Sequence, residues 1–325
     1  MARHLGRVAA LAGLIVALWL VAASHPLAVF ELMRAAGVGL VFAALIHVPH
    51  MVVNTAAWLT VIVGARRPRA GAMLMIVWIR ESVNSMLPVA RVGGEIVGFR
   101  LMRKQGLPPS TSVASLVVDM QLTLISELLF TLIGIGFLFS HAQSGSLRIA
   151  GDLAWGVAAL APLLLLFAVI QYASPFERLM RVLNRMTRGI FEDRIGESAQ
   201  IDQLIKAIWR RRRVVLAYLF IWQPLNCLLT SLEIWVALRF LGAPVSLIEA
   251  VAIDSLIQAL SSAAFFVPGA LGVQEGGFLV IGGALGLDPA TCVALAGARR
   301  VRDLLVFVPG LVAWQFAESA RFARA

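Results

Sequence analysis

Charged side chains inside a bilayer cost free energy unless a partner or a ligand satisfies them, so they mark sites by default. Five stand out within long apolar runs: Arg91, Glu95, Glu275, Arg299 and Arg302. Glu95 follows Pro88, Gly93 and Gly94, and Glu275 follows Pro268, Gly269 and Gly272. Proline removes a backbone donor and glycine relaxes the backbone, so both segments predict a broken helix with a carboxylate at the restart. The restarted helix presents unpaired N–H groups and a positive dipole end, which suit an anion such as phosphate. A glutamate there can equally cap its own helix. Arginine binds two oxygens of a phosphate or carboxylate at once. Arg299 and Arg302 share a helix face at i, i+3, with Arg300 pointing elsewhere, and Arg91 lies three residues past Pro88. The five form a candidate set for holding a polar headgroup.

The elements that must position them are duplicated. Ten of the 33 positions from 82 to 114 match those 180 residues later without a gap, among them Pro88/Pro268, Glu95/Glu275, Gly106/Gly286, Pro109/Pro289 and Thr111/Thr291. In this register Asp119 lies over Arg299. An ion pair between them across a pseudo-twofold axis is therefore one expectation that competes with headgroup binding. Repeated, helix-interrupted segments carrying ionisable groups are a mark of transporters.

Composition places the whole 325-residue chain in a membrane. It is 60% hydrophobic and only 14% charged, against about 25% charged for a soluble domain. The net charge of +10 reflects arginines gathered in loops on one side, not a nucleic-acid partner. Cys227 and Cys292 sit in apolar runs and suggest neither a disulfide framework nor a metal cluster.

Apolar runs predict spans near 8–24, 35–63, 111–140, 152–173, 214–241 and 289–319, with broken hairpins at about 71–104 and 246–286. The run at 8–24 is expected to be a retained span rather than a cleaved signal peptide. The predicted fold class is all-α: one polytopic integral membrane domain over 1–325, with about six spans and two broken helical hairpins in an inverted repeat. The first repeat is 28–140, the connecting span 141–173, a basic segment 174–213, and the second repeat 214–320. Arg66, Arg67, Arg69, Arg100, Arg103 and Lys104 turn the first hairpin toward the cytoplasm. Parity then opens the second hairpin outward and keeps both termini cytoplasmic. Within the basic segment, Ile201, Leu204, Ile205 and Ile208 fall at helical spacing, predicting an amphipathic helix on the anionic inner leaflet.

Further deep polar residues are Arg80, Glu81, Asn84, Glu127, Glu233 and Asp254. His47 and His50 flank Pro49, but two histidines alone are too few ligands, so no metal and no cofactor is expected. No acyltransferase, metalloprotease or nucleotide-binding pattern is present.

The pattern Asn84, Leu87, Pro88, Arg91, Gly93, Gly94, Glu95, then Pro268, Gly269, Gly272, Glu275 and an arginine-bearing last span, resembles the flippase-like transmembrane region of lysylphosphatidylglycerol synthases. It is most similar to the small stand-alone members associated with hopanoid biosynthesis. Ala270 departs from the pattern, standing where a glycine is common. The larger members carry a cytosolic aminoacyl-transfer domain, and none is found in these residues, so the resemblance does not carry the synthase activity. It implies movement of a membrane lipid, such as a hopanoid or its precursor, between leaflets of a bacterial inner membrane. The alternatives are an integral-membrane lipid-modifying transferase with Glu95 or Glu275 as general base, or a non-catalytic partner of lipid-synthesis enzymes acting through 175–213.

Overall fold

The structure, a computed structural model, describes residues 26–87, 93–141, 192–264, 267 and 270–319. The expected spans at 8–24 and 152–173 lie outside these residues, as do Pro88, Arg91, Pro268, Gly269 and the basic segment up to 191. Among the described residues every regular element is helical. In chain order these are α1 (Pro26–Ala36), α2 (Val38–Leu45), α3 (His47–Val61), α4 (Ala70–Met86), α5 (Gly93–Lys104) and α6 (Pro109–His141). Then come α7 (Glu192–Arg210), α8 (Arg212–Ala217), α9 (Gln223–Phe240), α10 (Leu247–Ala263), α11 (Val273–Ala284), α12 (Pro289–Arg302) and α13 (Val308–Ser319). Two π-helical turns, Tyr218–Trp222 and Asp303–Phe307, join α8 to α9 and α12 to α13.

Among the described residues three helical runs are long and apolar enough to cross a bilayer: Val38–Val61, Pro109–Ser140 and Arg212–Phe240. Only 33–39% of their most apolar windows is buried inside the protein. Large side chains such as Phe42, Val52, Leu132, Ile133, Phe220 and Ile221 face outward. An outer face this apolar is a bilayer-facing surface, and the protein is a polytopic membrane protein.

The repeat is visible in the helices. Moving α5 forward by 180 residues gives the limits of α11, and the first residue of α6, Pro109, falls on Pro289 of α12. Gly106 and Gly286 end the equivalent helices at φ +84° and +85°. In both copies the next residue donates back into the helix, Leu107 N to Met102 O and Leu287 N to Gly282 O. These are left-handed C-terminal caps, which glycine adopts at no steric cost.

The two halves run against each other. Leu40 and Ala43 of α2 share a core with Ala237, Leu238 and Leu241 at the end of α9. Trp58 and Val61 at the end of α3 share a second core with Val215 and Tyr218 at the start of that same run. The equivalent spans 38–61 and 212–240 are therefore antiparallel.

The hairpins form as helix–break–helix units. Their legs have 17 and 12 residues in both copies, or about 25 and 18 Å, short of the roughly 30 Å hydrocarbon thickness. The predicted amphipathic helix also forms, as α7, and its apolar face packs against the protein. Ile205 and Ile208 are buried in the protein core, and Trp209 Nε1 donates to Gln121 Oε1 of α6 at 2.8 Å. Arg210, Arg211, Arg212 and Arg213, just beyond, stay exposed.

Candidate functional site

Polar groups fill the seam between the two apolar cores. The helix breaks put them there. Asn84, near the end of α4, accepts from Gly94 N at 2.8 Å and donates to Glu95 Oε1 at 3.3 Å. A methyl at Gly94 would collide with the Arg80 carbonyl and with Asn84, so the close approach of the two legs requires glycine. In the second repeat Glu275 accepts from Gly272 N at 2.7 Å, and Gly272 has φ +78°. Glu275 thus caps its own helix, yet its other oxygen accepts from Arg300 at 2.8 Å.

Each repeat carries a buried ion pair between the first hairpin leg and the helix that follows the hairpin. In the first, Arg80 of α4 meets Asp119 of α6 at 2.8 Å. In the second, Asp254 of α10 meets Arg299 of α12 at 2.5 Å. The order of charge is reversed between them. The expected Asp119–Arg299 pair across the axis is thereby corrected: each residue finds its partner inside its own repeat. Supporting contacts complete both. Tyr218 donates to Asp119 at 2.6 Å, the Arg80 guanidinium lies 4.3 Å over the Trp58 ring, and Glu95 approaches Arg80 at 3.6 Å. Thr230 donates to Asp254 at 2.5 Å.

Between the pairs, Arg302 reaches Glu233 at 3.2 Å and Asp303 at 2.5 Å. Asp303 also accepts from Arg300 at 3.4 Å. Glu233 continues to His47 Nδ1 at 3.2 Å, and His47 Nε2 faces Glu81 at 3.5 Å. Pro49 lacks the N–H that would bond to Leu45, and the helix is interrupted at Ile46, between α2 and α3. His47 and His50 then stand in the first turn of α3 with ring centroids 4.8 Å apart.

Of the five residues proposed from sequence, four are described and all lie in this seam: Glu95 beside Arg80, and Glu275, Arg299 and Arg302 in the second repeat. Arg91 lies outside the described residues. Arg299 and Arg302 are each held by carboxylates, and Arg300, which the helix spacing set aside, pairs with Glu275.

Next to the seam is a cavity of about 210 Å³. Its walls come from α3 (His50, Asn54), α4 (Arg80), α6 (Thr123, Glu127), α9 (Gln223, Asn226, Thr230) and α10 (Ser255, Gln258). Phe130 and Cys227 complete it. Ten of these twelve lining residues are of polar type, in a protein whose outside is apolar. Asn226 Oδ1 is buried there without a hydrogen-bond partner, an expensive state unless water or a ligand meets it. Sequence reading missed Thr123, Tyr218, Gln223, Asn226 and Thr230 because they are uncharged. Their spacing was the available signal: 223, 226 and 230 line one helix face, as do 123 and 127.

A family model described as "Lysylphosphatidylglycerol synthase TM region" matches residues 7–310. No curated protein and no solved structure matches the chain.

Proposed function

We propose that this chain, which belongs to the lysylphosphatidylglycerol synthase transmembrane-region family, moves a polar lipid between the two leaflets of a bacterial inner membrane. The family makes it a membrane protein concerned with lipids. What supports transport is the polar cavity between two antiparallel repeats, the arrangement used for alternating access around a midplane site. One observation carries the reading: about 210 Å³ of amide- and hydroxyl-lined space, with Asn226 Oδ1 unpartnered, inside an apolar shell. The space suits a small headgroup, while the acyl or ring portion stays in lipid.

The chemistry of the walls narrows the cargo. Among the described residues Arg80 is the one arginine lining the cavity, and it is already engaged by Asp119, so these walls carry little free positive charge for a phosphate. Asn54, Thr123, Gln223, Asn226, Ser255 and Gln258 recognise hydroxyls and amides. A hydroxylated headgroup, of the kind borne by sugar- or polyol-bearing hopanoids, fits best. The exposed run Arg210 to Arg213 would meet the anionic cytoplasmic leaflet and fix the orientation with cytoplasmic termini.

The test is transfer of fluorescent lipids across the leaflets of proteoliposomes, comparing hydroxylated, zwitterionic and anionic headgroups. Wild-type protein should speed transfer of the hydroxylated lipid most. Asn226→Leu, which fills the cavity with apolar atoms, should slow it at least tenfold in protein that still elutes as a single species. Wild-type protein that leaves transfer at the rate of empty liposomes for every headgroup would sink the proposal. A covalently altered lipid found by mass spectrometry, without transfer, would replace it with a lipid-modifying transferase.

A further inference from the structure

We infer that His47, His50 and Glu81 form a binding site for a divalent transition-metal ion of the zinc class, at the wall of the polar cavity. One ligand atom from each of the three lies within 4.8 Å of the other two. His47 Nε2, His50 Nδ1 and Glu81 Oε2 are all buried, and none has a hydrogen-bond partner. Three unsatisfied ligand atoms converging in a protein interior need an explanation, since each alone costs about 1–3 kcal/mol.

The surroundings have the form of a supporting shell. Histidines that bind metal place the other ring nitrogen on a carboxylate or carbonyl, which fixes the tautomer. His47 does this with Glu233, at 3.2 Å from Nδ1. With its Nδ1 proton directed at Glu233, a neutral His47 turns the Nε2 lone pair toward Glu81 Oε2, 3.5 Å away. Two lone pairs facing each other require a cation between them. A proton on Nε2 would satisfy His47 and Glu81 but leave His50 Nδ1 unexplained; a metal ion accounts for all three. Asn54 Nδ2 donates to the other oxygen of Glu81 at 2.6 Å and so aims the carboxylate.

Geometry and charge agree. Around a metal with bonds of about 2.1 Å, tetrahedral ligand atoms stand roughly 3.4 Å apart. The His47–Glu81 separation of 3.5 Å already matches this, and the His50 ring, within 4.8 Å of the other two ligand atoms, has to close by at most about 1.4 Å. Glu81 is linked through His47, Glu233 and Arg302 to Asp303, so a cation at Glu81 sits beside further carboxylates. Two imidazoles with one carboxylate select zinc or a similar ion over magnesium or calcium, which prefer all-oxygen shells. Three protein ligands leave a coordination position, and His50 and Asn54 also line the cavity, so a water or a headgroup hydroxyl can take it.

The site does not depend on lipid transport, and its test needs no transport assay. Full-length protein in detergent, freed of metal with a chelator, is titrated with Co²⁺ and followed by visible absorption. One equivalent should bind with the bands of a four- or five-coordinate ion and be displaced by Zn²⁺. His50→Gln and Glu81→Gln should weaken binding at least tenfold and abolish the bands. Asn54→Ala should weaken it by about tenfold, as losses of supporting contacts do. Glu249→Gln, at the exposed start of α10 and hydrogen-bonded to Ser246, should bind like wild type. Absence of a Co²⁺ band in wild type at saturating metal, or undiminished binding in both glutamine variants, would overturn the inference. Should a ligand variant not fold, the wild-type spectrum and its Zn²⁺ displacement decide alone.

Discussion

Neutralising one partner of the Asp254–Arg299 pair should cost more than neutralising both. Asp254 is fully buried and Arg299 nearly so, and a buried charge stripped of its partner typically costs 3–5 kcal/mol. The two single substitutions should not be equal. In Arg299→Met, Asp254 keeps hydroxyl donors from Thr230 at 2.5 Å and Ser231 at 3.4 Å, which places the loss near about 3 kcal/mol. In Asp254→Asn, Arg299 keeps the Phe278 ring 5.8 Å away, and its Nε already lacks a partner. That loss belongs near the upper end, about 4–5 kcal/mol. The double variant removes both charges and should be less destabilised than Asp254→Asn alone, a coupling of at least about 2 kcal/mol. Reversible unfolding in mixed micelles, followed by tryptophan fluorescence, measures all four corners of the cycle. Losses that add, or single costs below about 1 kcal/mol, would refute the claim that this pair is desolvated and isolated within its repeat.

Three further outcomes follow from particular residues. Ala270 has φ +47°, a left-handed conformation that an alanine side chain resists, so Ala270→Gly should stabilise the protein by about 1 kcal/mol in the same unfolding assay. Cys227 lines the polar cavity while Cys292 is buried in an apolar core; a small water-soluble thiol reagent should label Cys227 and spare Cys292, as read by mass spectrometry. Asp288 begins α12 by accepting from the Thr291 hydroxyl and amide, and these bonds hold its carboxyl below the usual range. Its contribution, about 1 kcal/mol for such a cap, is therefore present above the unfolded-state pKa and lost as pH falls through the folded-state value. Thermal melts of Asp288→Ala and wild type should differ at neutral pH and converge in acid.

The sequence by itself determined the membrane class, the crossing runs near 35–63, 111–140 and 214–241, and the duplication. The expected span at 289–319 is instead divided into α12, a π-helical turn and α13. Hydropathy sets bilayer-crossing runs directly, and glycine and proline have few local conformations to offer, so Gly106 and Gly286 end equivalent helices just where the repeat predicts. The sequence also singled out Glu95, Glu275, Arg299 and Arg302, of which the last three are buried and Glu95 is half-buried in the protein. Only the tertiary structure decided their partners. Asp119 matches Arg299 in the repeat register, yet each pairs inside its own half. The reason is distance: neighbouring helices of one repeat bring the side chains within hydrogen-bond reach, and Coulomb attraction between buried charges acts on that separation and not on sequence register. The meeting of His47, His50 and Glu81 was equally hidden, because it joins two helices that no local pattern aligns. Spacing along one helix showed two histidines. The fold supplied the carboxylate.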